Sequence, residues 1–158
     1  MTPRIHDITT DTDNPPQFVA LLAVRQKAPN GATYGGAGIA QAQKAAYPDI
    51  TPAQLETPPD RAFERALDAA QRMGWKIIAA DKAQGRIEAT ATTFWLRFKD
   101  DVVIRIAAAG SGSRLDVRSM SRVGRSDFGA NAKRIRAFLK QLQAADCPPC
   151  FRLAGDGL

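Results

Sequence analysis

Few of the side chains that enzymes and metal proteins rely on occur in this sequence. Its 158 residues include one histidine, His6, and two cysteines, Cys147 and Cys150. Two cysteines cannot staple a disulfide scaffold, so the core must come from packing. Their Cys-Pro-Pro-Cys spacing suits redox or zinc chemistry. However, a redox motif of that kind opens a helix, whereas this one follows a helix, and zinc asks for four ligands. A local disulfide or two idle thiols is the expectation. His6 lies near Asp7, Asp11 and Asp13, but the run Asp11-Thr12-Asp13-Asn14-Pro15-Pro16 lacks the glycine of a calcium loop and is stopped by prolines. No metal and no cofactor are expected.

Other absences narrow the reading further. No Gly-x-Ser-x-Gly elbow is present, and a lone histidine leaves a catalytic triad without support. Gly35-Gly36-Ala37-Gly38 lacks the Gly-Lys-Ser/Thr ending of a phosphate loop, and no strand precedes it. Nothing approaches the ~20 continuous apolar residues that span a bilayer. The start, Met1-Thr2-Pro3-Arg4-Ile5-His6-Asp7, has no basic region followed by an apolar run, so no signal peptide is expected and the chain reads as soluble. With two Trp, two Tyr and seven Phe, most on apolar stripes, stacking platforms are scarce, and nucleic acid is not the expected partner.

What is present is close to the globular average, with 44% hydrophobic and 24% charged residues. The net charge of +6 is localised. Between Arg114 and Lys140 the chain carries Arg114, Arg118, Arg122, Arg125, Lys133, Arg134, Arg136 and Lys140 against Asp116 and Asp127 only, which accounts for the whole excess. That concentration points to a basic face and an anionic partner.

Residues 1–59 are punctuated by Pro and Gly and predict an irregular strap of the same domain, with one short helical or extended piece at Phe18–Arg25. Residues 60–145 predict a compact core, and 146–158 a C-terminal tail. In the core, Phe63, Ala66, Leu67, Ala70 and Met73 recur at helical spacing behind Asp60, and Gly74 ends that helix. Trp75–Ala80 and Arg86–Thr92 read as strands, the second with Ile87, Ala89 and Ala91 inward. Past Thr93 the apolar residues change phase to Phe94, Leu96 and Phe98, which predicts a β-bulge at Thr92–Phe94. Lys99-Asp100-Asp101 then reads as a turn into Val102–Ala108, and Arg114–Met120 as the last strand. Any hairpin register that matches Ile104 and Ile106 with Leu115 and Val117 puts Arg105 on the far face with Asp116 and Arg118, a charge ladder on a wet side. A helix of roughly 15 residues follows, striped by Ile135, Phe138, Leu139 and Leu142. The fold class is α+β: an antiparallel four-stranded meander (α-β-β-β-β-α) with two helices on one face.

Phe98-Lys99-Asp100-Asp101-Val102-Val103-Ile104-Arg105 and the run from Asp116 through Ser119-Met120-Ser121-Arg122-Val123-Gly124-Arg125-Ser126-Asp127-Phe128-Gly129 to Asn131-Ala132-Lys133-Arg134-Ile135 resemble the bacterial family known as domain of unknown function 1499. Ile5–Asp11 and Tyr47-Pro48-Asp49-Ile50 resemble it too. The resemblance implies no assigned activity, and it implies a cell-envelope setting.

The chemistry most clearly suggested by the residues is an anion cradle where the loop meets the last helix. A helix N-terminus offers free N–H groups, and Arg118, Ser121, Arg122, Arg125, Ser126, Asn131 and Arg134 would complete it. Beside it stands a structural reading, in which Asp127 or Ser126 caps the helix and pairs with Arg122 or Arg134, while Gly124 and Gly129 serve tight turns. Asp100, Asp101, Arg105 and Asp116 join that structural set. Adjacent carboxylates in a strand point to opposite faces, so Asp100 and Asp101 suit a turn better than paired acid–base work. The leading expectation is a non-catalytic binding or assembly module with a small anion or an envelope protein as partner. The alternatives are an enzyme using Asp100, Asp101 or Asp127 with these arginines, and a nucleic-acid binder using the basic face.

Overall fold

The computed structural model describes residues 2–144; Cys147, Cys150 and the expected tail lie outside the described residues. The strands are β1 (Asp7–Thr9), β2 (Ala53–Leu55), β3 (Lys76–Asp81), β4 (Arg86–Thr92), β5 (Lys99–Ala109) and β6 (Gly112–Ser121). The helices are α1 (Leu22–Lys27), α2 (Ala37–Ala46), α3 (Pro59–Arg72) and α4 (Ala130–Ala144). All strand pairs are antiparallel, in the order β1-β6-β5-β4-β3, and β2 shares the β6 edge with β1.

The expected α-β-β-β-β-α meander is therefore present as α3, β3–β6 and α4. Its registers match Ile104 with Val117, Ile106 with Leu115 and Arg105 with Asp116. Ile87, Ala89, Val102, Ile104, Leu115 and Val117 are buried on one face beneath Phe63 and Ala66 of α3 and Ile135, Phe138 and Leu142 of α4. Trp75 stacks on Phe138 at 5.4 Å between ring centres, joining the entry of β3 to α4. α3 begins at Pro59, a residue before the expected cap, since proline fits the first helical position. It ends with Gly74 in the left-handed region (φ +77°), whose N–H bonds the Gln71 carbonyl, while Trp75 bonds that of Ala70.

Three expectations need correction. The phase change after Thr93 is not a bulge: β4 stops at Thr92, which pairs with Lys99, and residues 93–98 form a tight hairpin loop. Thr93 holds that loop shut, because its N–H donates to the Phe98 carbonyl (2.8 Å) and its Oγ accepts from the Phe98 N–H (2.8 Å). The register shift falls in β3 instead, between Ile77 and Ala79. Lys99-Asp100-Asp101 is not a turn either; it pairs with both neighbours as the start of β5.

The far face of the sheet is not wet. Residues 10–34 cross it, packing Phe18 and Leu21 on Val103 and Met120. Buried Glu88 accepts the N–H groups of Val19 (2.9 Å), Ala20 (2.7 Å) and Leu21 (3.1 Å) just ahead of α1. The strap is less irregular than expected: it carries α1 and the ten-residue α2, and its β1 and β2 use the free hydrogen-bonding groups of the β6 edge.

Two left-handed glycines separate conformational from steric cost. Gly74 has open space around a notional Cβ, whereas one on Gly85 (φ +63°) would collide with the Ile106 carbonyl oxygen, so β5 approaches too closely for a side chain. Gly74→Ala should cost about 1 kcal/mol by its dihedral alone, and Gly85→Ala at least about 2 kcal/mol. Urea unfolding measures both. Equal losses would mean the Gly85 contact relaxes freely.

Candidate functional site

The arginine-rich segment folds so that the sheet divides its side chains. On the strap side, Arg118 is 1% exposed and grips both oxygens of Asp7 at 2.9 and 2.8 Å, with further donations to the carbonyls of Pro16 and Ala32 at 3.0 Å. Its guanidinium lies 5.1 Å from the Phe18 ring centre, and Arg25 sits at the same distance from that ring. Arg25 and Arg122 converge on Asp101: Arg25 Nη1 donates to Oδ2 at 2.9 Å, and Arg122 donates from Nε and Nη2 to both oxygens at 2.9 Å. The Thr90 hydroxyl donates to the same carboxylate at 2.8 Å. Burial lowers the pKa of Arg25 despite Asp101, while the hydrogen bonds that Arg122 donates to Asp101 raise that of Arg122.

On the helix side, Arg134 reaches Asp100 (2.7 Å) and the Asn131 side-chain oxygen (2.8 Å). Asn131 donates to Ser121 Oγ at 2.9 Å. Asp127 accepts the Gly129 and Asn131 N–H groups at 2.8 and 3.0 Å and so finishes the start of α4; it pairs with neither Arg122 nor Arg134. Ser126 Oγ accepts from the Phe128 N–H at 3.3 Å. Gly124 and Gly129 both adopt positive φ in this loop, at +92° and +87°. Arg105 and Asp116 meet as expected at 3.3 Å, with Asp11 from the strap completing the cluster.

Of the seven residues expected to cradle an anion, Arg118 and Arg122 thus lie on one face, while Ser121, Asn131 and Arg134 lie on the other. Arg125 and Ser126 stay with the loop at the surface. Asp100 and Asp101 point to opposite faces as expected, but neither meets water: they are 2% and 0% exposed. Among the described residues, no group of three or more His, Cys, Asp or Glu is placed to hold a metal ion.

What sequence reading missed lies at the end of the sheet where the 93–98 hairpin faces the 122–129 loop. Phe94, Trp95 and Leu96 are 85%, 88% and 70% exposed, and Phe128, held at φ +52°, is 87% exposed. Between the loops is a cleft of about 400 Å³, walled by these side chains with Phe98 and Val123 and floored by Asp100, Ser121 and Asp127. The floor is already engaged, since Asp100 holds Arg134 and Asp127 holds backbone N–H groups. The margins are basic. Arg97 and Lys99 belong to the hairpin, Arg125 to the facing loop, and Arg4 shares an adjoining hollow with Arg125 and Phe128. All four are exposed, and none forms an ion pair with another described residue. The signal available in the sequence was the phase change itself: Phe94-Trp95-Leu96 cannot continue a strand whose inward residues are odd-numbered, and so it must leave the sheet.

The family described as protein of unknown function (DUF1499) matches residues 7–142, most of the chain. The chain belongs to that family. No curated protein matches it. Among solved structures, it is similar to the crystal structure of Ara h 8.0201 at 14% identity and a TM-score of 0.42, over 59% of this chain and 94% of that one. Protein CV1439 from Chromobacterium violaceum gives 17% identity and a TM-score of 0.42, over 61% and 94%. For TTHA0849 from Thermus thermophilus the values are 11% and 0.36, over 61% and 97%. No helix among the described residues is long and apolar enough to cross a membrane.

The two kinds of ion pair differ in consequence. Asp101→Asn strands two guanidinium groups, one of them fully buried, and should cost about 3–5 kcal/mol in urea unfolding. Asp49→Asn removes the exposed partner of Arg136 and should change stability by less than about 1 kcal/mol. A small Asp101 effect would mean that water reaches Arg25. At Asp11, burial favours the neutral acid, but the N–H groups of Asn14 and Asp13 and the guanidinium groups of Arg114 and Arg105 outweigh it, leaving the pKa below the usual 3.8. A depressed carboxyl stabilises the fold above its unfolded pKa, and the benefit is lost as pH falls through the folded value. The Tm gap between wild type and Asp11→Asn should therefore be full at neutral pH and close below pH 3.8. A gap unchanged in acid would contradict this.

Proposed function

We propose that the protein is a non-catalytic binding module whose contact surface is the end of the sheet formed by the 93–98 hairpin and the 122–129 loop. Its partner presents apolar groups beside negative charge. The observation that carries this reading is the exposure of Phe94, Trp95, Leu96 and Phe128 together, among unpaired Arg4, Arg97, Lys99 and Arg125. Beyond these loops the exposed large hydrophobics among the described residues are Ile78 and, around α1, Val19, Leu22 and Val24, and the most exposed, Val19, reaches only 54%. Scattered apolar residues are ordinary on a protein surface, but a contiguous patch marks an interaction site.

Magnitudes explain why both features are needed. Covering most of three aromatic side chains removes on the order of 400 Å² from water, about 10 kcal/mol before any cost. Association costs roughly 4–15 kcal/mol, so the aromatics alone about break even. The unpaired cations tip the balance and select an anionic partner. In this reading, the anion-binding role expected of the arginine-rich loop rests on Arg125 with Arg4, Arg97 and Lys99, since Arg118, Arg122 and Arg134 are held by Asp7, Asp101 and Asp100. The same pairs weigh against a nucleic-acid face, and the placement of Asp100 and Asp101 on opposite faces weighs against paired carboxylate catalysis.

Anilinonaphthalene sulfonate, an apolar anion, reports on such a surface. The folded wild type should enhance its fluorescence, and Trp95→Ser/Phe128→Ser should reduce the enhancement at least about fivefold without changing the fold. Arg97→Gln/Arg125→Gln should weaken dye binding and its salt dependence. Fluorescence indifferent to all four substitutions would refute the assignment.

A further inference from the structure

We infer that the partner is an anionic lipid bilayer, and that the 93–98 hairpin tip and Phe128 enter its interface while the surrounding cations meet the headgroups. This rests on the contact surface proposed above and specifies what covers it.

The side chains that wall the cleft also project from it into solvent: Trp95, Phe128 and Phe94 are 88%, 87% and 85% exposed. A protein partner would need matching pockets for each, whereas a bilayer is a solvent that accepts projecting side chains without complementary shape. The residue types suit the boundary layer. Tryptophan favours the headgroup level, where its ring is in apolar surroundings and its N–H is wet. Phe94 and Leu96 flank Trp95 at the tip. Arg97 and Lys99 stand immediately behind that tip, and Arg4 and Arg125 stand beside Phe128. Long basic side chains reach out from an inserted apolar tip to phosphate oxygens.

Hydrogen bonds hold the loop closed at its base. Thr93 N–H bonds Phe98 O at 2.8 Å, Arg97 N–H bonds Thr93 O at 3.0 Å, and Phe98 N–H bonds Thr93 Oγ at 2.8 Å. The N–H groups of Phe94, Trp95 and Leu96 make no such bond, so the tip stops in the interface, where water and headgroups still meet them. The carboxylates at this end are outnumbered: Asp100 is paired with Arg134, and Asp127, bonded to N–H groups at the start of α4, faces four exposed cations. Peripheral docking of this kind combines apolar insertion with electrostatic attraction, neither of which suffices alone.

The test is co-sedimentation of the full chain with phosphatidylglycerol/phosphatidylcholine vesicles and with pure phosphatidylcholine vesicles, at low and high salt. Binding should require phosphatidylglycerol, weaken with salt, and fall at least about tenfold in Trp95→Ser/Phe128→Ser. Brominated acyl chains should quench tryptophan emission, and Trp95→Phe should bind yet lose that quenching, because the remaining tryptophan, Trp75, is 7% exposed in the core. Absence of vesicle binding while the sulfonate dye still reports on the loop end would overturn the bilayer and leave the contact surface standing, with an acidic amphipathic protein as its partner. Vesicle binding that the double loop variant retains would also overturn it, as attraction without insertion. A dye signal and vesicle binding both indifferent to the loops would remove the contact surface as well.

Discussion

The Asp101 carboxylate is the point on which the rest of this structure depends. Buried at the start of β5, it receives Arg25 from the strap, Arg122 from the loop after β6 and Thr90 from β4. A fully buried carboxylate is tolerable only with charge and hydrogen bonds from several sides. Satisfying it fixes where three distant stretches of chain meet. Both loops of the contact surface spring from that meeting point: the 93–98 hairpin is closed by the Thr92–Lys99 pair one residue before Asp100, and the facing loop begins at Arg122. The exposed aromatic end is thus held at its base by an ion cluster facing the strap, with the Asp100–Arg134 pair doing the same on the helix side.

The dry half of the fold was legible because it obeys one rule. Ile87, Ala89, Val102, Ile104, Leu115 and Val117 alternate in step, so the apolar pattern alone specified strands, register and the face that carries α3 and α4. The other half was misread because alternation with polar residues looks the same whether those residues meet water or a second layer. Glu88, Asp101, Arg105, Asp116 and Arg118 are what a wet face would show. Here they meet the strap, whose prolines hid the partners that it brings: Arg25, Asp7, Asp11 and the N–H groups of Val19, Ala20 and Leu21. Composition cannot show pairing over about a hundred positions of sequence. The Arg118–Asp7 and Arg105–Asp11 contacts are of that kind.

The same blindness shifted the candidate site. Counting charge along the chain makes residues 114–140 the basic region, yet Arg114, Arg118, Arg122, Arg134 and Arg136 are each paired with an aspartate. Of that counted set Arg125, Lys133 and Lys140 keep free charge, and Arg125 alone lies in the loop end, where it joins Arg4, Arg97 and Lys99, which the count did not reach. A local excess of arginine is a statement about stoichiometry, whereas a binding surface is a statement about which charges remain unpaired after folding. The phase change at Phe94 was the better clue, because an apolar residue that cannot be in the core must be somewhere else.

Arginine consequently serves two separate ends in this protein, and burial separates them. Buried guanidinium groups add little net stability, since desolvation offsets most of the attraction, but they are exacting about geometry: Arg118 needs two carboxylate oxygens and two carbonyls in place at once. A strap held that way docks in one position, whereas an apolar strap of the same length could slide. Fixing the strap fixes Arg25, Arg25 with Arg122 fixes Asp101, and Asp101 fixes the bases of both loops. The exposed arginines need no such precision, because an anionic surface is met by several flexible charges at once. Rigid pairs inside and free charges outside are therefore complementary: the first set holds the aromatic tip still, and the second brings a partner to it.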